Sequence, residues 1–165
     1  MKIAHLLVLS LLLALVPGMG RAAQRNIYPD VTVAHDQVAA ALKEAAATHK
    51  RVLLEFGGNW CPDCQMLDIY MHEEANAKLV DASYVVVHVN IGRMDANLDI
   101  AEQYGVPLNK GVPAVAVVNW DGKLLYSQRA GEFEAMRRMQ SSAVTEFLET
   151  WKPQAGGCAT KEVNC

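Results

Sequence analysis

The order of apolar patterns along this 165-residue chain predicts an α/β fold, a central mixed β-sheet flanked by helices. Three observations carry that prediction. Nearly continuous apolar runs, rich in Val and Leu, fall at residues 51–56, 84–91 and 113–120. Segments with helical spacing separate them, which calls for crossover connections and hence parallel strands. Finally, Asp121-Gly122 stands between two strand-like runs, where a glycine that accepts positive φ closes a hairpin and adds an antiparallel edge.

Residues 1–22 read as an export signal rather than as fold. Lys2 gives a positive start, residues 6–16 are apolar, Pro17-Gly18 breaks the run, and Gly20-Arg21-Ala22 offers small residues for cleavage before Ala23. The apolar run is too short to span a bilayer, which takes about 20 residues. No cysteine follows the cleavage point to carry a lipid, so no stable membrane anchor is expected. The protein should be periplasmic or otherwise exported, where disulfides persist. The full chain carries 15 basic and 18 acidic residues, and removing Lys2 and Arg21 makes the balance more acidic. No basic run stands out, which argues against nucleic acid as a partner. All of this fits one monomeric domain over residues 23–152 and a Cys-containing tail over 153–165.

Residues 25–32 form an irregular lead-in. Residues 36–49 are Ala-rich, with Asp36 placed to cap a helix and Val38, Leu42 and Ala45 on one face. Residues 51–56 are apolar on both faces, as in a buried central strand, apart from Glu55. The spacing predicts a helix over 62–71, then its continuation or a second short helix over 72–80. The β-branched run 84–91 is a strand, 95–104 a helix ended by Gly105, 113–120 a strand and 123–128 its return. Ser141 or Ser142 can cap a last helix over 143–151, whose Val144, Phe147, Leu148 and Trp151 share a face.

Chemistry concentrates where the strand 51–56 breaks at Gly57-Gly58-Asn59 and delivers Trp60-Cys61-Pro62-Asp63-Cys64 to a helix start. A helix N-terminus stabilises a thiolate through its unpaired N–H groups and partial positive charge. Cysteines at i and i+3 can close a small disulfide ring, the first exposed as attacker and the second tucked below as resolver. Half a zinc site and a plain structural disulfide are the alternatives. Zinc wants four ligands, and no second pair has finger-like spacing. Glu55 inside an apolar strand is costly unless used. Asp68 falls one turn after Cys64 on the same helix face. His72 and His88 could join Met66, Met71 and Met94 in a copper site, which a thiol metal chaperone would need, but their spacings suit ordinary packing, so no metal is expected.

The Trp60-Cys61-Pro62-Asp63-Cys64 stretch after a β-run resembles the active site of the thioredoxin superfamily, and Gly111-Val112-Pro113 resembles that family's cis-proline loop. The resemblance spans roughly residues 34–151 and is strongest to secreted bacterial thioredoxin-like proteins and to the thioredoxin-like C-terminal domain of DsbD. It implies a thioredoxin fold and a thiol–disulfide oxidoreductase needing no cofactor. Cys61 would be the nucleophile and Cys64 the resolving thiol. Trp60, Val112 and Pro113 would bind substrate. Glu55 matches the buried acid of thioredoxins and Asp68 an acid of the DsbD domain. One departure is that Pro107-Leu108-Asn109-Lys110 lengthen the loop before Gly111.

Partners implied are protein thiols and disulfides, with a membrane or soluble thiol reductase as electron donor. Asp63 opposes a thiolate beside it. At about 7 Å the repulsion is roughly 0.6 to 2.4 kcal/mol for effective dielectrics of about 80 to 20. That is at most about 50 mV, against about 150 mV between reducing and oxidising members of the fold. Asp63, Glu55 and the DsbD-like pattern together point to a reductase or electron relay, with an oxidase or isomerase as the alternative. Cys158 and Cys165 are expected to pair with each other, the competing role being a relay to Cys61–Cys64. The short loop they would close is worth at most about 2.5 kcal/mol.

Overall fold

Every residue of strand β1 (Arg51–Gly57) is buried, and the sheet is laid out on either side of it. The computed structural model describes residues 25–154. The expected export segment and the Cys158/Cys165 pair lie outside the described residues. β2 (Tyr84–Asn90) runs parallel to β1 along one edge. On the other edge β3 (Ala114–Val118) pairs antiparallel with β1, and β4 (Leu124–Ser127) pairs antiparallel with β3. The order is therefore β2-β1-β3-β4.

The expectation that helical crossovers would make the strands parallel holds for β1 and β2 only. Between β2 and β3 the helix is α4 (Leu98–Gln103), six residues or about 9 Å long. A seven-residue strand is about 23 Å long, so α4 cannot carry the chain back along the sheet. β3 therefore starts at the end where β2 stops: Ala114 pairs with Phe56, and Asn90 with Gly57.

Alternation along β1 divides the core. Leu54 and Phe56 face α1 (Ala34–Thr48) and α4, among Ala41, Ala45, Ile100 and Ala101. Leu53 faces α2 (Pro62–Met71) and α5 (Ser141–Trp151), against Leu67, Met71, Val144 and Leu148. The segment after α2 is a separate helix, α3 (Glu74–Ser83).

Several boundaries differ from the sequence reading for local reasons. Asp36 lies in the first turn of α1, not at its cap; Val33 occupies that position without a side-chain bond. The capping aspartate is Asp30, whose carboxylate accepts from the Thr32 amide and starts a preceding 3-10 turn, Val31–Val33. α4 begins at Leu98 rather than at residue 95, because Gly92, Met94 and Asn97 all take positive φ in the turn before it. α5 begins at Ser141 itself, with Gln140 at the cap and neither serine capping. Ser141 Oγ instead accepts from Asn76 Nδ2 at 3.2 Å, tying α5 to α3. A 3-10 turn at Met136–Arg138 has no sequence signal.

Gly57 closes β1 where no side chain fits. A Cβ there would stand 2.5 Å from the Tyr28 hydroxyl and 2.6 Å from Cys64 Sγ. Gly57→Ala is expected to destabilise the protein by about 1–3 kcal/mol through overpacking. Urea unfolding checks this, and an unchanged midpoint would show that the gap can open freely.

Candidate active site

Gly57 and Gly58 let the chain leave β1 in tight contact with its neighbours; a Cβ on Gly58 would stand 2.5 Å from Trp60 Nε1. Asn59 then fastens the lead-in to the site. Its Oδ1 accepts from the Ile27 and Tyr28 amides at 2.8 and 2.9 Å, and its Nδ2 donates to the Tyr28 carbonyl at 2.8 Å. Cys61 sits at the N-cap of α2 with extended backbone, Pro62 follows at the first helical position, and the Cys64 amide donates to Cys61 Sγ at 3.1 Å. Cys61 and Cys64 form a disulfide with Cα atoms 5.2 Å apart.

Both cysteines are buried in this oxidised form, Cys61 at 3% and Cys64 at 1% exposed, so Cys61 is not the open sulfur that the sequence predicts. The cause is packing. Tyr28, Ile27 and Val112 close around the pair, and the Val112 carbonyl oxygen lies 3.6 Å from Cys61 Sγ. The Val112–Pro113 peptide bond is cis. Trp60 is 38% exposed; its Nε1 donates to the Gly92 carbonyl at 2.6 Å, and the Arg93 guanidinium stacks 5.5 Å from its ring.

Glu55 is 1% exposed and shares the α2 face of β1 with Gly57, one pleat repeat or about 7 Å away. Its Oε2 lies 3.0 Å from His88 Nδ1 on the adjacent strand, while Oε1 has no partner. Burial pulls His88 down, but the charge and hydrogen bond of Glu55, helped by Asp68, outweigh it and raise the imidazole above its ordinary value. The His88 ring meets Tyr28 edge-on at 5.4 Å. The Tyr28 hydroxyl is buried without a partner, no more than about 5 Å from Cys64 Sγ. Burial first, then the charges of Glu55 and Asp68, push that phenol well above its usual range. Asp68 is 4% exposed rather than solvated, and pairs with Arg25 at 2.5 Å and His72 at 3.4 Å. Glu55, Asp68, Met71, His72, Val86 and His88 line a cavity of about 200 Å³ under the helix.

Asp63 departs from the sequence reading, which treated it as a free charge. Arg137, 74 residues away, donates its amide to Asp63 Oδ1 at 2.9 Å. Its Nε and Nη2 donate to Oδ2 at 3.2 and 3.1 Å. Burial raises the Asp63 carboxyl, yet these hydrogen bonds and the charges of Arg137 and Arg138 outweigh it and hold the group below its ordinary value. Among the described residues, no three His, Cys, Asp or Glu side chains come together as metal ligands. His72 and His88 face carboxylates instead.

Residues 33–119 match the thioredoxin-like family. A disulphide isomerase from Xylella fastidiosa is 38% identical, with a TM-score of 0.74 over 78% of this chain and 98% of that one. The chain belongs to the thioredoxin superfamily. A thioredoxin from Thermus thermophilus, 20% identical with a TM-score of 0.50, matches 68% of this chain and 81% of its own and shares the fold. With its Cys61–Cys64 pair, this superfamily member is a thiol–disulfide oxidoreductase.

Arg25, Tyr28, Asn59 and Arg137 join the site without having been picked out from the sequence. Asn59 had a local signal, a side chain rich in donors and acceptors after two glycines. Arg25, Tyr28 and Arg137 are brought in by tertiary contacts.

Because His88 is raised above its unfolded value, the His88–Glu55 pair stabilises the fold fully below about pH 6.5, and that increment is lost as pH rises through the raised value. The melting-temperature gap between wild type and His88→Gln should therefore be wide near pH 5.5 and narrow towards about pH 8.5. A gap that widens with pH would contradict the pairing.

Proposed function

We propose that this chain is an exported, periplasmic thiol–disulfide oxidoreductase working as a reductase or electron relay. It would act as a monomer, fed by another thiol protein, membrane-bound or soluble. The observation that carries the reading is Cys61 at the N-cap of α2, with the Cys64 amide directed at its sulfur. That placement favours a Cys61 thiolate as attacker. In the reduced protein, Cys61 Sγ attacks a substrate disulfide, forming a mixed disulfide and releasing the first substrate thiolate. Cys64 then loses its proton and attacks Cys61 Sγ, which closes the Cys61–Cys64 bond and frees the second substrate thiolate. Two electrons pass from the dithiol to the substrate, so no cofactor is needed.

Glu55 is the proposed acceptor of the Cys64 proton, with Asp68 as the second acid. Trp60, Val112 and Pro113 would hold an extended substrate strand by main-chain pairing and an aromatic contact. The unpaired Oε1 of Glu55 supports the reducing direction. A carboxylate on the face of Cys64, when ionised, opposes a second negative charge on Cys64, which favours the disulfide and makes the dithiol a donor. The apolar start of the chain supports export. The second reading, a disulfide isomerase, is favoured by the 38% identical relative described by that activity.

Cys61→Ser should abolish exchange, whereas Cys64→Ser should accumulate mixed disulfides on non-reducing gels; the reverse outcome would exchange the two roles. Glu55→Gln should slow release of the mixed disulfide by roughly 100-fold while the protein stays folded. Stopped-flow measurement showing an unchanged rate would remove Glu55 from the mechanism. Equilibration against glutathione buffers tests direction: a potential of about −230 mV or lower fits a reductase, and one of about −120 mV fits an oxidant.

A further inference from the structure

We infer that Arg137 is a positioning residue for the Cys61–Cys64 pair, cancelling the Asp63 charge and so holding the pair less reducing than Asp63 alone would make it. This rests on the thiol–disulfide chemistry of the site and not on the direction in which the protein works. Asp63 is the second residue of α2, and Cys61 is that helix's N-cap, so an unpaired Asp63 carboxylate would lie close to any thiolate formed on Cys61. Three hydrogen bonds from Arg137, two from the guanidinium and one from the backbone, converge on the two Asp63 oxygens. The Asp63 side chain is only 14% exposed, which limits screening by water.

Arg137 is presented from a fixed platform. Its neighbour Met136 is fully buried, and Phe133 is buried in the same core cluster between β3 and α5. The segment also grips the loop on the other side of the disulfide. Gly131, at φ +78°, passes so close that a Cβ there would stand 2.4 Å from the Lys110 carbonyl oxygen. Gly111, at φ +108°, leaves only 2.7 Å between such an atom and Glu134 Cβ. Residues 131–137 therefore bridge the first turn of α2 and the loop that leads into Val112–Pro113. The charged groups acting on Asp63 are Arg137 and Arg138, and only Arg137 bonds to it.

The sign follows from the charges. Losing Arg137 leaves Asp63 opposing the Cys61 thiolate, which raises the thiol pKa and lowers the potential. Losing the Asp63 charge leaves Arg137 favouring the thiolate, with the opposite result. Asp63→Asn keeps an oxygen for the Arg137 amide but puts its NH2 where Oδ2 accepts from the guanidinium, so it removes the charge together with the two guanidinium bonds.

The test compares Arg137→Met, Asp63→Asn, the double variant and Arg137→Lys. It reads the Cys61 pKa from pH-dependent alkylation and the potential from glutathione equilibration. Arg137→Met should shift the equilibrium three- to tenfold towards the disulfide, about 15–30 mV. Asp63→Asn should move it the other way, the double variant should return near wild type, and Arg137→Lys should stay near wild type. A merely structural clamp would move both single variants in one direction, with the double variant displaced alongside them rather than returned towards wild type, which would overturn the proposal. So would an unchanged pKa and potential in Arg137→Met. Failure of the wild-type pair to equilibrate with glutathione at all would instead overturn the oxidoreductase reading and this inference with it.

Discussion

At the end of β1, three parts of the chain occupy space that a single methyl group would fill. The strand backbone at Gly57, the Tyr28 hydroxyl from the lead-in and the Cys64 sulfur from α2 all meet there. Because β1 is buried on both faces and hydrogen-bonded on both edges, it cannot yield to either neighbour. The sulfur is therefore set against a rigid floor, and the helix that carries it is fixed by Leu67 and Met71 in the core below. Much of the site's geometry follows from that floor. Cys61 caps the helix, the Val112 carbonyl stands over it, and the lead-in closes the side.

The electrostatics of the site depend on contacts between distant segments. Glu55 meets His88 from the next strand, Asp68 meets Arg25 from the lead-in, and Asp63 meets Arg137 from the turn before α5. Each carboxylate near the disulfide thus has a basic partner that folding alone supplies. An unpaired buried carboxylate is costly, and these partners reduce that cost while leaving the acids close to the sulfurs.

The sheet, its flanking helices and the Cys61–Cys64 pair were legible in the sequence because their signals are local: β-branched runs, helical spacing and a Trp-Cys-Pro-Asp-Cys stretch at a strand end. Buried Glu55 was legible too, since a charge in an otherwise apolar strand stands out. The antiparallel pairing of β3 was not, because it depends on the shortness of α4, and three positive-φ residues before it are not evident from periodicity. Asp36 looked like a cap because the 3-10 turn started by Asp30 advances the helix cap by three residues, from Asp36 to Val33. Tyr28 and Arg137 were invisible for a simpler reason. Their partners lie tens of residues away, and neither sits in a pattern that announces burial or pairing.

The two ends of the described chain stand in different relations to the site. Arg25 reaches Asp68 and Gln65 on α2, so the entering chain is part of the wall around the disulfide. At the other end, the Trp151 carbonyl accepts from Arg51 and the Leu148 carbonyl from Tyr84, at the starts of β1 and β2. The end of α5 therefore lies about a strand's length, roughly 20 Å, from the sulfurs. For anyone tethering this protein to a surface or joining it to another domain, the choice of end is a choice of chemistry. A linker after α5 leaves the redox face open, while one joined at Arg25 must start within the shell of residues that surrounds it.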